Sequence, residues 1–146
     1  MNRQIKFKAK ILNSDQWICG YYYYNTPTRE HRIISPVEKS DEMLGWNIDP
    51  STIGQFTGLK DKNGTEIYEG DILRFPPKDE WERTSFVGYE VFWHDNDCCE
   101  RHIGFQMNRH HFYGYVCGTC DFRDFKPKTT KQMIVIGNIH DKKEEE

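Results

Sequence analysis

Thiolate and imidazole side chains crowd one stretch of this 146-residue chain: His94, Cys98, Cys99, His102, His110, His111, Cys117 and Cys120. These are the groups zinc prefers, and the two-residue gap of Cys117-Gly118-Thr119-Cys120 lets both sulfurs reach one ion from a tight turn. Cys98 or Cys99 with His102 would supply the second half of a tetrahedral site, and His110 with His111 a weaker one. The metal set predicted from spacing is therefore Cys117, Cys120, Cys98 and His102, in a structural zinc site. The competing reading makes Cys117 and Cys120 small apolar residues at a strand end and puts the histidines in exposed loops. The second half is neither a CxxC nor an HxxxH pair, so the packing reading is preferred and no cofactor is assigned. A thioredoxin-like redox role is disfavoured, because the strand-then-helix context of such a motif is missing.

Other chemistry is thinner. Asp61, Glu66, Glu69 and Asp71 lie close in sequence and could form an acid-base pair or a cation site. Turn chemistry explains them better: Asp61 as the residue that bonds the backbone of an Asp61-Lys62-Asn63-Gly64 turn, Asp71 as the partner of a bend at Glu69-Gly70. No nucleophile, metalloprotease or phosphate-loop signature is present. An enzyme would need a pocket of titratable groups, with His94 and Asp95 as its first candidates. The expectation is a protein that is not an enzyme.

The elements that must position these residues read as strands. Asn63-Gly64 supplies the positive φ of a hairpin between two β-prone runs. Strands are predicted near Ile5–Leu12, Gln16–Tyr24, Arg32–Ser35, Gly54–Thr57, Glu66–Tyr68, Ile72–Phe75, Phe86–Trp93, Ile103–Met107, Phe112–Val116 and Gln132–Ile136. Lys6, Lys8 and Lys10 alternate with Phe7, Ala9 and Ile11, the pattern of a half-buried strand with a basic outer face. Pro36–Leu44 is predicted as at most one peripheral helical turn, and Pro76–Thr84 as a loop. The pairing of Gly70–Arg74 with Val87–Trp93 suggests the start of a small barrel. The fold class expected is mainly β: a small SH3-like or related barrel with an N-terminal β-extension and little helix.

The run Gln55–Phe75, QFTGLKDKNGTEIYEGDILRF, resembles the hallmark of the YopX family of small phage- and prophage-encoded proteins, roughly T-G-L-x-D-x-N-G-x-x-I-Y-E-G-D-I. Asp49-Pro50-Ser51-Thr52-Ile53-Gly54-Gln55 fits the segment that often precedes it. Ile5–Ala9 with Trp17, and Val135–Ile139, agree near the two ends. The motif residues picked out are Asp61, Asn63, Gly64, Tyr68, Glu69, Gly70 and Asp71. The resemblance implies a mostly β fold, an origin in mobile elements, a cytoplasmic setting in a bacterial host and no catalytic residues to carry over. It implies one domain over 1–146: an N-terminal β-region at 1–50, the hallmark hairpin and barrel at 51–140, and a tail at 141–146. Cysteines do not generally mark the family near Cys117, so the resemblance lends the metal site no support.

Composition bounds the partners. Lys plus Arg number 20 and Asp plus Glu 23, a formal charge of −3, which argues against wholesale attraction to phosphate backbones. Aromatic content of 14% is high and mean hydropathy of −0.85 is low, so burial must lean on Phe, Tyr and Trp. No stretch approaches a membrane span, and the N-terminus carries charge where a signal peptide would be apolar. Five cysteines, an odd number, read as thiols or metal ligands in a reducing cytoplasm. Lys142–Glu146 reads as a frayed, solubilising tail. Tyr21-Tyr22-Tyr23-Tyr24 splits into two pairs on opposite strand faces, one toward a core or subunit contact and one outward near Arg29, His31 and Arg32. Tyr22 and Tyr24 are the pair singled out for an interface, because interfaces are enriched in Tyr, Trp and Arg. The expected activity is that of a protein-binding or homo-oligomeric accessory module. A single-stranded nucleic-acid-binding barrel is a less favoured alternative, since the basic stripe is thin.

Overall fold

The computed structural model describes residues 4–36, 43–84, 88–95, 103–110, 122–123 and 125–141. The chain is mainly β and divides into two compact units, residues 1–56 with 140–146 and residues 57–139.

In the first unit, β1 (Phe7–Lys10), β2 (Trp17–Asn25), β3 (Glu30–Pro36), β4 (Met43–Asn47) and the start of β5 (Gly54–Lys60) form an antiparallel array in the order β4-β3-β2-β1-β5. Register sets the faces. Phe7 opposes Gly20 and Ala9 opposes Ile18, so these residues share a side with Tyr22 and Ile33, which oppose each other. Ala9, Ile33 and Ile48 are the buried centre of that side, with Phe7, Ile18, Tyr22 and Ile53 packed around them. The other side carries Lys8, Lys10, Trp17, Cys19, Tyr21, Tyr23, Arg32 and Ile34. The alternation expected for Lys6, Lys8 and Lys10 is therefore present, with one departure: Lys10 is buried. Its ammonium stands 5.6 Å from the centre of the Trp17 ring and donates to the His140 carbonyl, which sequence alone could not bring near.

Asp49-Pro50-Ser51-Thr52 is a capped 3₁₀ turn. The Asp49 Oδ1 accepts from the Ser51 amide at 3.0 Å and its hydroxyl at 2.7 Å. Thr52 Oγ1 donates to the Asp49 carbonyl and accepts from the Lys10 amide at 2.9 Å, pinning the turn to β1. The Ser51 hydroxyl and amide hold the Asp49 carboxyl below the usual carboxylate range. That contribution to stability is present above the ordinary carboxylate pKa and is lost as pH falls through the lowered one.

In the second unit, β6 (Glu66–Tyr68) pairs beside β5, and β7 (Asp71–Arg74), β8 (Gly88–Asp95), β9 (Ile103–His110), β10 (Phe122–Arg123) and β11 (Ile134–Asn138) form a sheet in the order β10-β9-β8-β7-β11. β7 pairs with β8 as expected, through Ile72 with Glu90 and Leu73 with Tyr89. Ile67, Leu73, Tyr89, Val91, Met107 and Met133 are the buried core. At roughly 1.5–3 kcal/mol for each large apolar side chain, such a cluster supplies most of what holds a unit this size together. Among the described residues no closed barrel forms: the predicted barrel strands lie in open antiparallel sheets.

Two short helices, α1 (Glu80–Thr84) and α2 (Pro127–Thr130), punctuate the strands. The first falls where a loop is expected. Asp79 caps it through the Glu82 amide at 2.8 Å, and Arg74 donates to the Glu82 carbonyl at 2.9 Å. β4 replaces the end of the expected helical turn: Met43 and Leu44 pair with Pro36 and Ser35, while residues 37–42 lie outside the described residues. The predicted strand Phe112–Val116 also lies outside them. No helix among the described residues is long and apolar enough to cross a membrane.

Candidate functional site

Asp61 and Asp71, the two buried carboxylates of the hallmark, are used by the fold. Asp61 is buried, and its Oδ1 accepts from the Asn63 amide at 2.8 Å and the Thr65 amide at 2.9 Å, closing the hairpin turn from inside. Its Oδ2 accepts from the Val135 amide at 2.9 Å, and the Lys62 amide donates to the Met133 carbonyl at 2.8 Å. One carboxylate thus shapes the turn and ties it to β11. Thr57 Oγ1 donates to the Ile67 carbonyl and accepts from the Leu59 amide. Asp71, fully buried, accepts from the Tyr68 amide at 2.8 Å and from Asn138 Nδ2 at 2.9 Å. Ile67 and Tyr68 are core, and the Tyr68 hydroxyl donates to Glu66.

Gly64 has φ of +80° with open space where a Cβ would stand. Gly64→Val should therefore cost the backbone strain alone, about 1–3 kcal/mol, read as a lowered urea midpoint. Glu69 is half-buried beside this motif, and burial raises its pKa. Its carboxylate is disfavoured by folding, so the favourable state is the protonated one at low pH and is lost as pH rises through the raised pKa. Glu69→Gln should raise the melting temperature at pH 7 and change little below pH of about 3, where both states are protonated. A gain of equal size at both pH values would contradict this.

The outer side of β2 is different, because its large side chains hold up no core. Tyr21 is 56% exposed and opposes Ile34, which opposes Gly45. Among the described residues a Cβ on Gly45 would meet the Arg32 guanidinium alone, at 3.9 Å, so there is open space beside Ile34 on the side away from Tyr21. Arg32 is held in place: Nε donates to Asn47 Oδ1 at 2.7 Å and lies 3.6 Å from Glu30 Oε2, while a terminal nitrogen reaches the Tyr23 hydroxyl at 3.5 Å. The Tyr23 hydroxyl keeps the Arg32 pKa above its ordinary value. Asn47 in turn donates to Glu30 at 3.2 Å. Lys8 stands 4.9 Å over the Trp17 ring, beside the exposed Cys19. The result is an apolar patch, Tyr21 and Ile34, rimmed by a fixed Arg32–Asn47–Glu30 network and by Trp17 and Lys8.

The tyrosines divide as a strand requires, and the register with β1 decides the phase. Tyr22 turns toward the core, 5.9 Å from Phe7, and its hydroxyl lies 2.6 Å from His31 Nδ1. Tyr24 shares that side but is 47% exposed and rests against His31 at 4.9 Å. Tyr21 and Tyr23 occupy the outer side. Tyr21 is 56% exposed and Tyr24 47%, so each side presents one exposed tyrosine, and the pairing of Phe7 with Gly20 fixes which tyrosine takes which side.

The remaining candidates are placed as follows. Cys98, Cys99, His102, His111, Cys117 and Cys120 lie outside the described residues. His94, Asp95 and His110 are placed by backbone register only, His94 opposite Gly104, Asp95 opposite Ile103 and His110 opposite Gly88. Among the described residues no group of three metal-ligating side chains comes together. A cleft of about 550 Å³ in the first unit brings Lys10, Asp15, Asp49 and His140 to one rim. Its charged groups already have tasks: Lys10 is 3.9 Å from Asp15 and bonds the His140 backbone, and Asp49 caps the 3₁₀ turn.

Comparison with known proteins gives a consistent picture. A family profile described as YopX protein matches residues 3–144. Among solved structures, protein EF1440 from Enterococcus faecalis is similar, with 24% identity, a TM-score of 0.53 and 95% of each chain covered; that likeness bears on the fold alone. No curated protein matches the chain.

Proposed function

The chain belongs to the YopX family, and from that premise we propose that it is a non-enzymatic accessory protein of mobile elements that works by protein contact, first of all with a second copy of itself. The observation that carries this reading is the Tyr21–Ile34 patch on the outer side of β2. An isologous contact needs a surface complementary to itself. Here an apolar centre is flanked by one cation and one anion, Arg32 and Glu30, already locked into a network, so little side-chain freedom is lost on docking. Tyr, Trp and Arg are the residues enriched at such interfaces. Of the hallmark carboxylates, Asp61 and Asp71 accept backbone amides and serve the fold, which favours a binding role over a catalytic one for those two. A bacterial cytoplasmic setting fits a chain with an exposed thiol on this face.

Cys19 gives a direct test, since it lies on the same side of the sheet as Tyr21. Its alkylation, followed by peptide-resolved mass spectrometry, should slow as protein concentration rises and recover in Tyr21→Glu. A rate independent of concentration would remove this face from any self-contact.

Trp17, Tyr21 and Tyr23 on one face also fit the stacking of unpaired bases. The cations beside them argue the other way: Arg32 is paired with Glu30 and Lys8 sits over Trp17. Saturable, salt-sensitive binding of oligo(dT), abolished by Tyr21→Ala, would favour the nucleic-acid reading instead.

A further inference from the structure

We propose that the hairpin carrying the hallmark forms, with α2, a second binding site that takes an acidic peptide segment of a partner protein. The site is a cleft of about 650 Å³, within the range of small-ligand sites, between the hairpin and the Pro127–Lys131 segment. Leu59 and Pro127 give it an apolar floor, and Lys60, Lys62 and Lys131 line it. All three lysines are exposed. Among the described residues the one carboxylate in the lining is Asp61, and both its oxygens accept backbone amides, from Asn63, Thr65 and Val135. Three lysines against this one carboxylate leave the described lining with an excess of positive charge.

Holding like charges together costs energy that a ligand of opposite sign returns, and on a chain of net charge −3 this local excess is not a by-product of composition. The arrangement is also built rigidly. The Lys62 amide donates to the Met133 carbonyl at 2.8 Å and the Val135 amide to Asp61 at 2.9 Å, so the hairpin cannot drift from the segment that carries Lys131. Cations carried on a fixed backbone beside the apolar Leu59 and Pro127 side chains suit carboxylates that flank one apolar side chain. A nucleic-acid strand is the poorer fit, because among the described residues no aromatic ring lines the cleft for a base to stack on. This site involves none of the β2 residues, so its failure and that of the β2 interface are separable.

The test is fluorescence anisotropy with a labelled peptide in which a central leucine is flanked on both sides by glutamate and aspartate. Saturable binding is expected, weakened about tenfold or more by Lys60→Glu or Lys131→Glu, and by raising salt from about 0.05 to about 0.5 M. Lys78→Glu, an exposed lysine away from the cleft, should leave it unchanged. The lysine side chains make none of the bonds that hold the hairpin, so the variants should keep the wild-type circular dichroism. If the charge reversals fail to fold, Lys60→Gln with Lys131→Gln serves in their place. Binding unaffected by the cleft variants, or matched by an oligonucleotide of equal charge, would overturn the proposal.

Discussion

Gly20→Ala should destabilise the first unit by about 3 kcal/mol or more, and in the extreme prevent its folding. A Cβ at Gly20 would stand 2.1 Å from the Ile34 carbonyl oxygen and 2.9 Å from its carbon. Both are backbone atoms of β3, so no side-chain rotation relieves the overlap, and the β2–β3 pair must open. Since Tyr21 and Ile34 are partners in that pair, the binding patch should be lost with it. Gly45→Ala is the control, because its Cβ would have only the Arg32 guanidinium nearby, at 3.9 Å. Its urea midpoint should stay near wild type, within about 0.5 kcal/mol. Equal midpoints for the two variants would refute the close approach of β3 to Gly20.

Asp61→Ala is expected to cost about 3 kcal/mol, from the loss of three amide bonds to a buried carboxylate. The conservative variant separates its two tasks. Asp61→Asn keeps an oxygen for the Asn63 and Thr65 amides but turns an amide donor toward the Val135 N–H. It should therefore preserve the turn and still lose the tie to β11, with an intermediate cost. Amide exchange read residue by residue would show this as faster exchange at Val135 with protection kept at Thr65. If Asp61→Asn matched wild type at both amides, the carboxylate would not be the hub described above.

These two positions also mark how far the sequence could be read. The Asp61–Gly64 turn, the outgoing strand at Glu66–Tyr68 and the pairing of β7 with β8 follow from local pattern, because turn residues and period-two alternation act over a few positions. The outer face of β1 was legible for the same reason at Lys6 and Lys8. Lys10 was not, since the carbonyl that receives its ammonium belongs to His140, 130 positions away. The second task of Asp61 was hidden likewise, its partner Val135 lying 74 positions on.

β4 escaped because Met43-Leu44-Gly45-Trp46-Asn47 alternates weakly and follows Ser40-Asp41-Glu42, which looks like a helix start. Its strand state comes from pairing with β3. For the tyrosine run, alternation announced two faces but not which tyrosine takes which; that depends on Phe7 meeting Gly20 across β1 and β2. The Cys117–Cys120 knuckle was legible as a motif and lies outside the described residues.

A hallmark this complete invites a chemical reading. Residue by residue it encodes a turn, two buried carboxylates, two core side chains and the tie to β11. The two surfaces proposed for binding, the β2 patch and the lysine-lined cleft, lie outside these contacts.

Native mass spectrometry of the wild-type chain beside Tyr21→Glu at matched micromolar concentration tests the proposed self-contact most directly. The wild type should appear as a dimer or higher assembly and Tyr21→Glu, with an unchanged circular dichroism spectrum, as a monomer. A wild type that stays monomeric throughout, or a variant that assembles as well as the wild type, would contradict the assignment of the Tyr21–Ile34 face as the contact surface.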